Sequence, residues 1–291
     1  FLTDCSIFDA ERNKVMKIDI LTLFPEMFVP LRQSIIGRAE EKGIIKINIT
    51  NIRDYSADKH KKTDDYPFGG GAGMVMSVQP IFDAMLAVGA RPALDAESAH
   101  GIAGAGGVLE DSDCSGRTAV KRILYMSPRG KVLDADKVKE LAREEELVIL
   151  CGHYEGVDQR VIDCFGVEEV SIGDYIVTGG ELPAMVLVDS VVRMLEGVLA
   201  SEDAAVGESI YSGLLEYPQY TKPRVYRGLA VPEVLVSGNH KLIALWQFEK
   251  SLELTRARRP DIFNAFLKNE EKIAALSKEE KKILEKIIKN P

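Results

Sequence analysis

Three short glycine-containing segments each follow a predicted strand, and their composition suits ligand binding through the backbone. They are residues 127–130 (SPRG), 151–156 (CGHYEG) and 173–180 (GDYIVTGG). Glycine adopts positive φ angles and admits close approach of a ligand at little steric cost. Ligands of parallel α/β sheets bind at the carboxyl ends of strands. If the three segments meet at one sheet edge, they form a pocket for a cofactor or a nucleoside.

The familiar phosphate-binding and catalytic motifs are absent from the sequence. The glycines at 69–73 fit neither G-x-G-x-x-G nor G-x-x-x-x-G-K-[ST], and no G-x-S-x-G or H-E-x-x-H occurs. Cys151 lies two residues before His153, but a core cysteine is the favoured interpretation over a thiol nucleophile. A glycine-rich pocket without a phosphate-binding motif is compatible with ligands that lack a phosphate, such as a nucleoside sulfonium.

The cysteines and histidines predict neither a metal site nor a disulfide framework. The four Cys and four His contain no C-x-x-C pair and no spacing typical of zinc ligands. Free cysteines suit a reducing compartment, so a cytoplasmic location is expected. No apolar run reaches the roughly 18 residues of a membrane-spanning helix. Residues 1–15 lack the features of a signal peptide and are expected to be an extension outside the fold.

Charge is unevenly distributed along the chain. The net charge is −8, yet residues 217–260 contain eight Lys and Arg against three Glu. A local positive field attracts phosphates even on an acidic protein. The same residues could instead form a solvated helical face, and charge alone does not separate the two interpretations.

Alternating elements predict an α/β domain followed by a helical one. Strands are predicted at the segments 17–24, 44–52, 122–127, 147–150 and 168–172. The segment 44–52 alternates apolar and polar residues, whereas 147–150 is a continuous apolar run. Helices at 135–146, 158–165 and 182–195 separate or follow them, which indicates a parallel sheet covered on both faces. Residues 89–118 lack a clear period and are expected to be an insertion or lid.

The remaining residues predict a separate helical domain. An amphipathic helix is expected at 239–258, where Trp246 and Phe248 could stack on bases or, as helical spacing favours, pack in a core. A capping box of Ser277 and Glu280 begins a last helix that ends at Lys289. The expected division is an extension (1–15), an α/β domain (16–199), a linker (200–211) and a helical domain (212–291).

Several long segments resemble the bacterial tRNA (guanine-N1)-methyltransferases, the TrmD family. The matching segments run in order through nearly the whole chain: DDYPFGGGAGM (64–74), YMSPRG (125–130), CGHYEGVD (151–158), SIGDYIVTGGELPAM (171–185), YPQYTKP (217–223), VSGNH (236–240) and RRP (258–260). The resemblance implies a SPOUT-class fold, in which the parallel sheet carries a deep trefoil knot and the knot loops bind S-adenosylmethionine. It also implies a homodimer with its active site across the interface.

The resemblance further implies methylation of N1 of the guanosine just 3′ of the anticodon, where the preceding base is also guanosine. The reaction of this family can depend on magnesium, and a carboxyl-terminal helical domain grips the tRNA. Two other interpretations remain open: a non-catalytic RNA-binding protein of the SPOUT fold, and a SPOUT methyltransferase of another RNA position.

The positions that match the family's motifs imply which residues bind the cofactor and which contact the tRNA. The residues implied to bind the cofactor are Tyr125, Ser127, Pro128, Gly152, Glu155, Ile172, Gly173, Asp174, Tyr175, Ile176, Val177, Gly179 and Gly180. The residues implied to contact tRNA phosphates are Lys222, Arg224, Arg256, Arg258 and Arg259. His153 stands where the family often has arginine, and no chemistry is assigned to it.

Two residues are expected to perform the chemistry. Arg193, on an otherwise apolar helix, matches the arginine that stabilises negative charge on guanine O6. Glu208 stands where the family has aspartate, and it is the expected base for the N1 proton. Its extra methylene shifts the carboxylate by about a bond length, and displacements of about 1 Å can matter for catalysis. Glu202 and Asp203 lie nearby as alternative bases.

Overall fold

The computed structural model describes residues 14–93, 121–199 and 209–289. These residues fall into two compact units, one over 14–199 and one over 209–289. Within these ranges, none of the helices is long and apolar enough to cross a membrane. The expected extension up to residue 13, most of the expected insertion or lid (94–120) and most of the expected linker (200–208) lie outside the described residues.

The first unit is an α/β fold. Its strands are β1 (Met16–Thr22), β2 (Ile45–Asn51), β3 (Asp64–Asp65), β4 (Val75–Met76), β5 (Arg122–Val132), β6 (Glu146–Cys151) and β7 (Glu168–Ser171). Its α-helices are α1 (Ser34–Glu41), α2 (Val78–Ala87), α3 (Ala135–Leu141), α4 (Gln159–Phe165) and α5 (Glu181–Val192). Two 3-10 helices lie at Pro25–Arg32 and Ile52–Tyr55.

Five parallel strands form the sheet, in the order β2-β1-β6-β5-β7. The central strand β6 is fully buried from Leu147 to Cys151, which explains its continuous apolar sequence. Alternate sheet residues such as Leu21, Ile123 and Leu150 pack with α2 and α4 in one core. Helix α5 packs against β6, and its Leu187, Val188, Val191 and Val192 are fully buried. The predicted parallel sheet is therefore confirmed.

Strand β5 differs from its prediction, which ended it at Ser127 before a turn. Met126 and Lys131 both pair with Val170, so residues 127–130 form an excursion within the strand and the chain then returns to β7. A side chain at Gly130 would collide with the backbone of Glu169 and Val170. Glycine there allows the two strands to meet again after the excursion.

Other element boundaries also differ from the predictions. Helix α3 ends at Leu141 rather than near residue 146, and Asp134 caps its first turn by accepting a hydrogen bond from the Lys137 amide at 2.8 Å. The first 3-10 helix and α1 follow one another before Gly43, and they are separated near Ser34, a residue with positive φ (57°).

The second unit is mainly helical. It contains a hairpin of β8 (Val225–Tyr226) and β9 (Leu229–Ala230), a 3-10 helix (Glu233–Val236), and α6 (His240–Arg258), α7 (Pro260–Lys268), α8 (Glu270–Ala275) and α9 (Lys278–Lys289). Leu252, Phe263 and Ile287 are among the buried residues of its core, and Phe248 packs against them. The capping box before α9 is confirmed, because Ser277 and Glu280 exchange hydrogen bonds of 2.8 and 3.2 Å.

Candidate functional site

The excursion in β5 and the carboxyl ends of β6 and β7 bring the glycine segments together at one sheet edge. The second and third segments touch directly, since the Gly180 amide donates to the Gly152 carbonyl at 2.9 Å. A Cβ on Gly180 would lie 2.7 Å from the Cα of Cys151 and 2.8 Å from the Gly152 amide nitrogen. Gly180 therefore allows a backbone contact that no larger residue permits.

Tyr125 forms the wall between the first and second segments. It is 5% exposed and lies two residues before the excursion in β5, and a Cβ on Gly152 would lie 2.8 Å from its hydroxyl oxygen. Burial raises the pKa of the Tyr125 hydroxyl, so this group stays neutral at physiological pH and serves as a polar contact. Ser127 is buried beyond it, whereas Pro128 is exposed.

The third segment is a compact loop held by Ser171 at the end of β7. The Gly173 amide donates to Ser171 Oγ, and this hydroxyl donates to the Gly173 carbonyl, both at 3.1 Å. Gly173 has φ of +143°, and a Cβ there would lie 2.6 Å from the Tyr175 ring. Tyr175 and Ile176 are 58% and 78% exposed. The loop therefore presents backbone and two large side chains to its surroundings.

The glycine-rich loop at 67–73 lies against the second segment, a contact that the sequence did not predict. The Glu155 amide donates to the Met74 carbonyl at 2.9 Å, and the Met76 amide donates to the Gly156 carbonyl at 2.9 Å. A Cβ on Gly73 would lie 2.6 Å from the Glu155 carboxylate. The loop therefore borders the glycine segments beside Glu155, and Phe68 in it is fully exposed.

A buried carboxylate lies directly behind the glycine segments. Glu181, the first residue of α5, is 0% exposed. Its Oε1 accepts from Thr22 Oγ1 at 2.6 Å, and its Oε2 lies 2.7 Å from His153 Nε2. Neither Glu181 nor Thr22 was predicted to belong to the site. The signal in the sequence was an acidic residue at the start of a predicted buried helix.

Cys151 is a core residue, as the sequence favoured. Its side chain is fully buried, and this burial raises the pKa of the thiol well above its usual value. The nearby Glu181 carboxylate raises the pKa further, by a smaller amount. A thiol is nucleophilic only as the thiolate. Cys151 is therefore unsuited to nucleophilic catalysis at neutral pH.

Arg193 and the glycine segments lie at opposite ends of helix α5 within one chain. Arg193 is half-buried and caps the carboxyl end of α5, whereas Gly180 precedes the amino end. Helix α5 has 12 residues and is therefore about 18 Å long. The expected base Glu208 and its alternatives Glu202 and Asp203 lie outside the described residues.

The basic residues expected to contact tRNA have different surroundings. Lys222, Arg224 and Arg258 are exposed. Arg256 donates to the backbone carbonyl of Ile287 in α9, and Arg259 forms an ion pair with Asp261 at 2.6 Å. The last two contacts lie within the helical unit. Trp246 lies beside Tyr220, with ring centroids 6.3 Å apart.

Comparisons with known proteins identify the family. The family model described as tRNA (Guanine-1)-methyltransferase TrmD matches residues 16–265. The chain is 50% identical to a tRNA (guanine-N(1)-)-methyltransferase of Ruminiclostridium cellulolyticum over 250 residues, which cover 86% of this chain and 97% of that protein. It is 48% identical to the protein of the same name from Clostridium botulinum over 269 residues, covering 92% and 97% of the two chains.

A third relative shows the same extent of similarity. The tRNA (guanine-N(1)-)-methyltransferase of Alkaliphilus oremlandii is 50% identical over 253 residues, covering 87% of this chain and 94% of the relative. The matched region spans the five-stranded sheet, the glycine segments and most of the helical unit. This chain belongs to the tRNA (guanine-1)-methyltransferase family, TrmD.

Proposed function

We propose that this chain is an S-adenosylmethionine-dependent enzyme that methylates N1 of the guanosine just 3′ of the tRNA anticodon, where the preceding base is also guanosine. The observation that supports it most is the family match over residues 16–265, which includes every glycine segment at the sheet edge. Two proteins with 50% identity to this chain are named tRNA (guanine-N(1)-)-methyltransferase.

The glycine segments fit a nucleoside cofactor. Side chains at Gly152, Gly179 or Gly180 would collide with neighbouring atoms, so these positions offer a surface made of backbone amides and carbonyls. Such a surface suits the hydrogen-bonding edges of an adenine ring. The proposed cofactor site includes Tyr125, Ser127 and Pro128 from the first segment, Gly152 and Glu155 from the second, and Ile172–Val177 with Gly179 and Gly180 from the third. In the family pattern these loops form the trefoil knot.

S-adenosylmethionine, when bound, supplies an electrophilic methyl group. The residues of the chain then have two tasks at the guanine. Glu208 accepts the N1 proton, a role commonly worth about 10²–10⁴-fold in rate. Arg193 stabilises the negative charge that develops on O6, and such stabilisation is commonly worth about 3–4 kcal/mol. Glu155, which is exposed beside Gly73, accepts hydrogen bonds from the cofactor's ribose or amino group.

We further propose that a second copy of the chain completes the active site. Arg193 and Gly180 of the same chain lie about 20 Å apart along the axis of helix α5. Leu182 and Val186 lie one turn apart on this helix and are 49% and 50% exposed, although its opposite face is fully buried. A homodimer that covers this apolar stripe would also place an arginine of one subunit near the glycine segments of the other.

The helical unit is the proposed tRNA-binding part. Exposed Lys222 and Arg224 precede the β8–β9 hairpin, and Arg258 lies at the end of α6. Contacts of this kind position the RNA without reading its sequence. Arg259 and Arg256 belong to the same proposal, although each already has a contact within the unit.

Magnesium dependence was implied by the family resemblance. Over the residues that the structure describes, no group of three or more His, Cys, Asp or Glu side chains could hold a metal ion.

Methyl transfer from labelled S-adenosylmethionine tests the proposal. A tRNA transcript with guanosine at the target and preceding positions should become labelled, whereas a transcript with adenosine at the preceding position should not. If the folded protein binds the cofactor but labels neither transcript, the enzyme hypothesis is refuted and a non-catalytic RNA-binding protein is favoured. Equal labelling of both would contradict the proposed specificity.

Substitution of the expected base provides a second test. Glu208→Gln should abolish turnover and leave cofactor affinity near that of the unmodified protein, since the residue acts on guanine N1. Glu208→Asp is the informative companion, because an active variant supports a carboxylate at this position. Unchanged turnover in Glu208→Gln would move the base to Asp203 or Glu202.

A further inference from the structure

The pair formed by His153 and Glu181 connects the walls of the proposed cofactor site. His153 lies in the second glycine segment, next to Gly152, and Glu181 directly follows the third. Their side chains meet at 2.7 Å, with side-chain exposures of 15% and 1%. The pair therefore joins two segments whose relative position decides the shape of the site.

Thr22 fixes the other carboxylate oxygen of Glu181. It ends β1, is fully buried, and donates to Glu181 Oε1 at 2.6 Å. Its hydroxyl also accepts from the Phe24 amide at 2.9 Å. A buried carboxylate is costly unless its oxygens accept hydrogen bonds. Here both oxygens have partners, so the carboxylate is held at one position between three elements of the fold.

Gly179 shows how closely the third segment lies against this pair. A Cβ on Gly179 would collide with the His153 ring and would lie 2.6 Å from Glu181 Oε2. The Phe24 ring also contacts the imidazole, with centroids 4.8 Å apart. Contacts with Phe24, Gly179 and Glu181 therefore hold the imidazole, with its Nε2 toward the carboxylate.

We propose that His153 and Glu181 are positioning residues, whose hydrogen bond holds the second and third glycine segments at the spacing that binds S-adenosylmethionine. This inference rests on the cofactor site proposed above. It assigns to the pair no contact with the methyl group or the guanine. Loss of the hydrogen bond should therefore weaken cofactor binding and leave the chemical step unchanged at saturating cofactor.

Two substitutions at one position separate the hydrogen bond from simple packing. His153→Leu removes the donor and keeps an apolar side chain against Phe24, whereas His153→Gln keeps an N–H near the position of Nε2. His60→Leu is the matched control, because His60 is exposed and its backbone amide alone bonds to Asp58. Thr22→Val is a second route, since it removes the other donor to Glu181 with little change in shape.

The measurements are calorimetric affinity for S-adenosylmethionine without tRNA, and steady-state KM and kcat with tRNA. A hydrogen bond to a buried charged group supports an expected loss of about tenfold in affinity for His153→Leu. The KM for the cofactor should rise by a similar factor with kcat retained. His153→Gln should recover most of the affinity, His60→Leu should match the unmodified protein, and Thr22→Val should weaken binding.

Three results would overturn the inference. The first is cofactor affinity in His153→Leu and Thr22→Val equal to that of the unmodified protein. The second is an equal loss in His153→Leu and His153→Gln, which would assign the effect to ring packing. The third is a fall in kcat without a change in KM. Absence of cofactor binding by the unmodified protein would instead refute the proposed function.

Discussion

Replacing Gly180 by alanine tests the closest backbone contact of the site. Gly180 has φ of −77° and ψ of −8°, a conformation that alanine adopts without strain. The cost must therefore come from the contact of the new methyl with the Cα of Cys151 at 2.7 Å and the Gly152 amide nitrogen at 2.8 Å. Both are backbone atoms, so no side-chain rotation can relieve the overlap.

The magnitude follows from two contributions. Overpacking of this kind costs about 1–3 kcal/mol. Separation of the segments also weakens the 2.9 Å hydrogen bond from the Gly180 amide to the Gly152 carbonyl, which contributes about 1 kcal/mol. The reduced entropy of the unfolded chain offsets about 0.4–1 kcal/mol. We expect Gly180→Ala to lower the free energy of unfolding by about 1–4 kcal/mol.

Urea unfolding and calorimetric titration with S-adenosylmethionine provide the assay. Gly43→Ala is the control, because Gly43 has φ of +71° and open space around its Cβ position. That variant should lose about 1–2 kcal/mol of stability through backbone strain alone and bind the cofactor normally. Gly180→Ala should lose both stability and at least about tenfold in cofactor affinity. Normal stability and affinity in Gly180→Ala would refute the close packing of the two segments.

Three further outcomes are expected. The Cys151 thiol should resist alkylation in the folded protein at neutral pH and react on unfolding, since burial raises its pKa; rapid labelling of native Cys151 would contradict this. Asp158→Ala should cost about 1 kcal/mol through loss of the cap of α4. Its hydrogen bond with Arg160 lowers the pKa of Asp158 from 3.8, so this difference is present above pH 3.8 and disappears as pH falls through the folded-state value. Val186→Glu should convert the proposed homodimer to monomers in sedimentation measurements, whereas Val29→Glu, at another exposed position, should not; a dimer in both would move the interface away from α5.

Local patterns predicted the centre of the sheet well because the central strand β6 is buried on both faces. The apolar run at 147–150 belongs to β6, and the capping box of Ser277 and Glu280 marked the start of α9 correctly. Both signals involve residues adjacent in the sequence. The end of α3 at Leu141 was missed because no glycine or proline follows it.

Long-range partners explain what the sequence could not predict. The excursion in β5 depends on the close approach of Gly130 to the backbone of β7. His153 and Glu181 are 28 positions apart, and Thr22 is 159 positions from Glu181, so no periodic pattern connects them. The contact of Arg256 with the Ile287 carbonyl likewise arises only when α6 and α9 pack together.

The proposed activity of this chain is methylation of guanine N1 of tRNA with S-adenosylmethionine as the methyl donor. The most direct measurement is nucleoside analysis by mass spectrometry of a tRNA transcript after incubation with the protein and the labelled cofactor. We predict a single labelled product, 1-methylguanosine, located just 3′ of the anticodon and absent when Glu208 is replaced by Gln. A label on a ribose 2′-oxygen, on another base, or on no nucleoside would rule out this activity.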